Sequence, residues 1–166
     1  HKLQGIQADR QVKKTVLLTG SAAIITDQHH LGEASLRMDE EGLAFLPLSN
    51  EFFLHLQADD QRQCFIAFAV VGSLPLQPPV RLLKKLLQAN RFWRETAGAT
   101  LSLDSEQPPR LVLADRYDWT GLDAEEFTER VNQFVDILHE ARAWLEEPDE
   151  VHPSGWHSTE LGHSLA

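Results

Sequence analysis

The chain has 166 residues, an apolar content of 42% and a formal net charge of −10, which is enough length and apolar material for one domain with its own core. The excess of acidic residues repels phosphate groups, so it argues against a nucleic-acid partner and against an anionic membrane surface. The one cysteine, Cys64, excludes an intramolecular disulfide and fits a reducing cytoplasm. No run reaches the roughly 18 apolar residues that a membrane span needs.

The N-terminal segment, residues 8–30, allows two interpretations. Apolar residues recur at helical spacing between positions 12 and 24, with Gly20 as a weak point. Alternatively, the β-branched residues near Thr15 and Val16 indicate a short strand. We favour the helix, which makes residues 1–30 the least defined part of the predicted domain.

Three strands joined by short turns are predicted between residues 43 and 71, which indicates an antiparallel meander. Residues 43–48 form the first strand, and Pro47 indicates an edge or a bulge. Residues 52–57 alternate between two faces, of which one is buried. Residues 63–71 are apolar on both faces, which predicts a central or doubly covered strand.

A leucine-rich helix is predicted over residues 80–92, after prolines that suit the first turn of a helix. Leu82, Leu83, Leu86 and Leu87 cover an arc of about 140° on that helix. A single sheet contact rarely needs so wide an apolar face. We therefore expect the helix to contact its own core on one side and a partner subunit on the other.

Two further strands, residues 100–103 and 110–114, precede the last helix. Asp123 and Glu126 have the spacing of a capping box, and an apolar stripe then runs to Leu145 before Pro148. Residues 123–150 hold ten acidic residues and two arginines, which indicates a solvated face or, alternatively, an acidic docking surface. Residues 1–147 are thus predicted to be one domain, and residues 148–166 a polar C-terminal tail.

No residue pattern predicts catalysis, a metal or a cofactor. Thr19 and Gly20 resemble the start of a dinucleotide-binding turn, but the later glycines are missing. The histidines at 29, 30, 152, 157 and 163 lie in a predicted loop and tail, where zinc ligands are rarely held rigidly. The polar and aromatic cluster at residues 115–119 could do acid–base work, but a turn with a surface ion pair is favoured.

The order of these elements resembles the class I type III secretion chaperones, the Tir-chaperone-like family of Gram-negative bacteria. The resemblance covers about residues 31–147 and rests on five segments: 36–42 (LRMDEEG), 82–90 (LLKKLLQAN), 101–104 (LSLD), 111–114 (LVLA) and 122–127 (LDAEEF). It implies an α+β fold of order αβββαββα, with helices packed on an antiparallel sheet, in a cytoplasmic homodimer.

The resemblance also implies a function without catalysis. Family members bind the N-terminal chaperone-binding region of a secreted effector, in extended form and partly by β-augmentation, and keep it soluble and competent for secretion. The alternative is a regulatory protein of the same fold that sequesters an anti-activator of secretion gene expression, because the Asp-Glu-Glu-Gly turn at 39–42 resembles that branch.

Two sets of site residues follow, with no cofactor and no metal in either. The expected dimer interface comprises Leu82, Leu83, Leu86, Leu87, Asn90, Phe92 and Trp93. The expected effector-binding surface comprises Val16, Leu17, Leu43, Phe45, Leu101, Leu103, Leu111 and Leu113, of which the last four are expected to alternate on strands that little else covers.

Overall fold

The computed structural model describes residues 39–48 and 51–148. The expected first helix and the polar tail after residue 148 lie outside these residues, as do the histidines at 29, 30, 152, 157 and 163. The described elements follow one another as β1 (Leu43–Pro47), β2 (Phe53–Asp59), β3 (Cys64–Ser73), α1 (Val80–Ala89), a 3-10 turn (Arg91–Trp93), β4 (Thr100–Leu103), β5 (Arg110–Asp118) and α2 (Ala124–Glu146).

The five strands form one antiparallel sheet in the order β1-β2-β3-β5-β4. The first three strands are the expected meander, and β1 lies at an edge, as Pro47 predicted. β3 is central, as its apolar residues predicted. The alternative prediction was a strand covered on both faces. Within the described residues, helices pack on only one face of β3.

Helix α2 covers the inner face of the sheet. Its N-terminus has the predicted capping box, in which the Asp123 carboxylate accepts from the Glu126 N–H at 2.9 Å and the Glu126 carboxylate accepts from the Asp123 N–H at 3.1 Å. The free N–H groups of the first turn and the positive end of the helix dipole both favour carboxylates at that end. The predicted stripe is buried against the sheet at Phe127, Val131, Phe134, Leu138 and Ala141.

The core lies between that helix and alternate residues of each strand, because side chains of a strand point to opposite faces in turn. Leu54, Leu56, Phe65 and Tyr117 are fully buried there. Tyr117 and Phe65 both meet Phe127 of α2 edge-on, at ring-centroid distances of 5.2 and 6.0 Å.

Two boundaries differ from the sequence prediction by three or more residues. The leucine helix α1 ends at Ala89 instead of residue 92 because Phe92 and Trp93 have φ values of +58° and +53°, which no right-handed helix accommodates. Strand β5 runs to Asp118 instead of residue 114, because residues 115–118 pair in register with Cys64–Ala67 of β3. Among the described residues, no helix is long and apolar enough to cross a membrane.

Candidate functional site

The face of the sheet opposite α2, hereafter the outer face, carries a row of side chains that crosses every strand. Strand pairing places Phe45 opposite His55, His55 opposite Phe68, Phe68 opposite Ala114, and Ala114 opposite Thr100. One residue from each strand therefore lies in a single line, hereafter the cross-strand row. No described helix packs on it.

Aromatic rings fill one half of this row. The rings of His55 and Phe68 stack at 4.8 Å with an interplanar angle of 9°, and Phe45 meets the His55 ring edge-on at 5.1 Å. Phe53 stacks on Phe45 at 5.1 Å and 17°. Such pairs fix the rings in place, and Phe45 still leaves 53% of its surface in water. The outer face thus presents a preformed aromatic surface that is open to solvent.

The other half of the row ends at a shallow depression beside Trp93. The indole N–H of Trp93 donates to the Thr100 hydroxyl at 3.2 Å, so the ring forms a wall beside β4. Ile66, Ala114 and Thr100 line the floor, and Arg116 adds a cation. Asp115 also lines the depression and brings the opposite charge beside Arg116, so the lining favours an apolar side chain without selecting a charge.

Hydrogen bonds from one aspartate close part of the β1 edge. In the ladder with β2 the even-numbered residues bond inward, so Leu43, Phe45 and Pro47 point their backbone groups outward. The Leu43 N–H donates to the Asp39 carboxylate at 2.8 Å, and the Leu43 carbonyl accepts from the Asp39 N–H at 2.8 Å. Pro47 has no N–H. In the described part of this edge, Phe45 alone offers both groups to another strand.

An asparagine closes the opposite edge in the same manner. The Asn90 amide N–H donates to the Leu101 carbonyl at 2.8 Å, and its carbonyl accepts from the Leu101 N–H at 2.8 Å. Leu103 is therefore the residue of β4 whose outward groups remain for pairing in the described chain. The expected β-augmentation stays a prediction, and these two edges limit it to short segments near Phe45 or Leu103.

A second apolar surface runs along the exposed side of α1 and into the 3-10 turn, hereafter the helix-turn surface. Val80, Leu83 and Leu87 recur at helical spacing, and Phe92 and Trp93 follow. Leu87, Phe92 and Trp93 expose 73%, 72% and 55% of their surface. The left-handed backbone of Phe92 and Trp93 costs roughly 1–3 kcal/mol per residue for such bulky side chains. The hydrogen bonds from Asn90 and Trp93 to β4 hold the segment in this shape.

Charge is divided between the two helices. Residues 80–94 contain five basic residues and no acid, whereas the last helix is strongly acidic. The two meet where Glu147 accepts from Arg81 and from Lys85, at 2.9 Å each. These exposed pairs contribute little stability, but they orient the basic helix beside the end of the acidic one.

The expected dimer-interface residues divide between core and surface. Leu82 and Leu86 are buried in the chain's own core, and Leu83 packs partly against it. Asn90 holds the β4 edge. Leu87, Phe92 and Trp93 are exposed. The core contact expected for one side of the helix is seen, and the partner subunit expected on the other side stays a prediction.

The expected effector-binding residues are less accessible than their pattern indicated. The expectation that the leucines of the last two strands lie uncovered is wrong for Leu101, Leu111 and Leu113, which are buried because they face the covered side of the sheet. Leu103 is exposed at the end of that side. Leu43 is partly buried and Phe45 exposed on the outer face. Val16 and Leu17 lie outside the described residues.

The sequence analysis did not select Phe53, His55 or Phe68, which carry the aromatic part of the outer face. Their signal was present, since Phe53 and His55 alternate with buried residues on β2. Alternation alone does not tell which side of a strand a helix will cover.

The cluster at residues 115–119 is divided between two faces. Asp115 lies on the inner side and pairs with Arg130 of α2 at 3.1 Å, while Tyr117 is fully buried in the core. Burial, followed by the nearby Asp115 carboxylate, raises the pKa of the Tyr117 phenol far above its usual range. Arg130 lies over the Tyr117 ring at 4.8 Å. These contacts indicate that the cluster serves core packing. Separately, in the described residues no group of histidine, cysteine or carboxylate side chains could hold a metal ion.

Comparison with known proteins decides the family. Residues 28–142 match the model of the Tir chaperone protein (CesT) family. The chain belongs to this family. A Chlamydia pneumoniae protein, CPj0713/CpB0740, is similar at 25% identity over 112 residues, which are 68% of this chain and 82% of that protein.

Solved structures share the fold of this CesT-family chain. The ExsC–ExsE complex matches with a TM-score of 0.64 at 21% identity, over 81% of this chain and 93% of that one. The HopA1–SchA chaperone–effector complex gives 0.59 at 15%, over 78% and 96%. The Yersinia pestis type III secretion chaperone SycH, solved with a fragment of YscM2, gives 0.56 at 16%, over 75% and 98%. The α+β secretion-chaperone fold predicted from the sequence is confirmed.

Proposed function

We propose that this protein is a type III secretion chaperone that binds the N-terminal chaperone-binding region of a secreted effector and keeps it soluble and competent for secretion. The observation that carries the proposal is the outer face, where an aromatic surface is preformed and open to solvent. Family membership supports it, and so do the similar structures, which contain a HopA1–SchA chaperone–effector complex.

The shape of this surface favours an extended ligand. The cross-strand row is a track one side chain wide, and its stacked rings suit apolar or aromatic side chains of a segment laid across the strands. Acidic residues cluster at the end of the sheet where β1 begins and β2 ends, among them Glu40, Glu41 and Asp59. We therefore infer a partner segment in which basic residues lie next to the apolar ones.

We further propose that the protein acts as a homodimer through the helix-turn surface. Leu87, Phe92 and Trp93 are three large apolar side chains that are exposed close together along the chain, and exposed apolar groups of this kind are typical of protein contacts. The Leu82 and Leu86 side of the same helix is occupied by the chain's own core, so only the outer side remains for a second subunit. Leu83 lies at the border between the two.

The proposed activity is binding without catalysis, in the cytoplasm of a Gram-negative bacterium. The matching family is one of chaperones, and the polar residues near the end of β5 are engaged in core packing and ion pairs. We propose no cofactor for either the outer face or the helix-turn surface.

A regulatory protein of the same fold is the second candidate, whose partner is an anti-activator of secretion gene expression. The acidic turn at residues 39–42 supports it, since Asp39 holds the β1 edge and leaves Glu40 and Glu41 exposed beside the outer face. Partner identity separates the two candidates.

The test is capture of the tagged full-length chain from its own bacterium, with the bound protein identified by mass spectrometry and its contact region mapped by cross-linking. Wild type is compared with Phe45→Ser, which removes an exposed ring of the row, and with the matched control Leu76→Ser, an exposed apolar residue off the sheet. The chaperone is supported if wild type and Leu76→Ser capture one protein through its N-terminal region and Phe45→Ser does not. Equal capture by all three proteins contradicts the outer face as the site.

A further inference from the structure

His55 is the one ionisable side chain in the aromatic half of the cross-strand row. Its ring lies between the stacked ring of Phe68 and the edge of Phe45. On β1, the outer-face neighbours are Leu43, Phe45 and Pro47, none of which titrates. A proton on His55 would therefore place a charge in the middle of an apolar surface.

Among residues 39–48 and 51–148, the other groups packed around this imidazole offer no carboxylate to pair with it. From β3 it faces Ile66, Phe68 and Val70, and its own strand contributes Phe53 and Gln57 to the same face. The nearest charged outer-face group on these strands and β5 is Arg116, which pairs with Ile66 across the ladder and repels an imidazolium. Glu51 precedes β2, and Asp59 at its far end is paired with Arg62 at 2.7 Å.

We propose that His55 makes partner binding on the outer face dependent on pH, so that the face binds its apolar segment while the imidazole is neutral and releases it as the imidazole takes up a proton. This regulation rests on the function proposed above. It means that the residue at position 55 sets the pH dependence of partner binding.

The direction follows from desolvation. Partial burial already lowers the pKa of His55 in the free chain. A partner that covers the row removes the remaining water from the ring, so the bound form holds a proton less readily than the free form. The complex therefore binds fewer protons than the free chain does. The affinity for the partner has its full value above the pKa of free His55, and it falls by up to about tenfold per pH unit below that pKa.

The probe for the test is Nile red, an uncharged dye that fluoresces on apolar surfaces and whose own charge does not change between pH 7.5 and 5.5. The full-length chain is titrated at both pH values, with circular dichroism and light scattering to confirm that it stays folded and unaggregated. Phe68→Ser reports whether the dye binds on the row. His139→Gln is the control histidine, since His139 is exposed on α2 and lies against Phe52.

We expect wild type and His139→Gln to bind the dye more weakly at pH 5.5 than at pH 7.5, by less than about tenfold because the pKa of His55 lies below its ordinary value. His55→Phe should bind equally at both, because its ring stays apolar. Equal affinities in wild type, with binding that Phe68→Ser abolishes, overturn the pH dependence and leave the proposed surface standing. Binding that Phe68→Ser does not change overturns the surface, and with it both proposals.

Discussion

The side-chain amide of Asn90 pairs with the backbone of Leu101 as a residue of a neighbouring strand would, through two hydrogen bonds of 2.8 Å. Asn90 directly follows α1, and Leu101 lies in the edge strand β4, so this pairing joins the helix to the sheet. It fixes the position from which Phe92 and Trp93 project. The geometry of the helix-turn surface therefore depends on one amide group.

Replacing Asn90 with Ala should lower the free energy of unfolding by about 1–3 kcal/mol, because two partly buried backbone groups of Leu101 lose their partner. Urea denaturation measures the loss. Asn90→Asp keeps the acceptor and loses the donor, so it should fall between Ala and wild type near neutral pH. An unchanged midpoint in Asn90→Ala would mean that water replaces the amide at no cost.

Replacing Leu87 with Glu should prevent the proposed homodimer from forming, because it places an unpaired carboxylate in the centre of the proposed interface. Leu87 is exposed in the subunit, so the fold should remain intact by circular dichroism. Gln88→Glu adds the same charge at the next exposed position and is the matched control. Sedimentation velocity should give a monomer for Leu87→Glu and a dimer for the control; a dimer for both would rule out this interface.

Replacing Phe92 with Gly should separate subunit stability from assembly. Glycine accepts a φ of +58° without strain, and little of the Phe92 ring is buried. In the monomeric Leu87→Glu background, we expect unfolding free energy to stay equal or rise by up to about 1 kcal/mol. In the otherwise wild-type chain, dimer affinity should fall.

Phe92→Ala is the control for this experiment, since it removes the ring and keeps the strain. It should weaken the dimer similarly without stabilising the monomer. If Phe92→Gly destabilises the monomer more than Phe92→Ala does, the positive φ is not a source of strain.

Replacing Gly72 with Ala should destabilise the sheet at its bulge. The pairing of β3 with β5 shifts between Val70 and Gly72, and a Cβ at position 72 would lie 2.5 Å from the Arg142 guanidinium and 3.1 Å from Leu145. Arg142 would have to leave the Val71 carbonyl, to which it donates at 3.0 Å. We expect a loss of about 1–3 kcal/mol in unfolding free energy.

A double-mutant cycle with Arg142→Ala tests the cause. Without the guanidinium, the cost of Gly72→Ala should fall by more than about 0.5 kcal/mol, since the two positions then no longer collide. Additive losses would place the cost at Leu145 or in the backbone instead.

The strands and α2 could be predicted because their signals are local. The capping box at Asp123 and the stripe from Phe127 indicate α2. Alternation in residues 52–57, a continuous apolar run in residues 63–71 and the short turns between them indicate the meander. The end of α1 could not be predicted, because a phenylalanine at position 92 does not indicate a left-handed backbone. Two bulky residues adopt it here because the chain must turn back to β4 while Asn90 stays bonded to Leu101.

The candidate site was predicted in part for a related reason. Leu111 and Leu113 alternate as clearly as Phe53 and His55 do, and alternation assigns each pair to one side of its strand. Which side receives α2 depends on how the whole sheet packs, and the sequence of a single strand does not carry that information. The dimer set stays a prediction. The structure divides it between core and surface, because an arc of four leucines is wider than the contact of α1 with the chain's own core.

The bonds from Asp39 to Leu43 also bear on how the molecule behaves while it is empty. A sheet with an open aromatic face and two open edges would add further copies strand by strand, and such growth has no natural end. In the part of the chain that the structure describes, Asp39 is bonded to one edge strand and Asn90 to the other, so each edge leaves about one residue for pairing. That is too few to hold another sheet, and we expect the free chain not to polymerise into fibres.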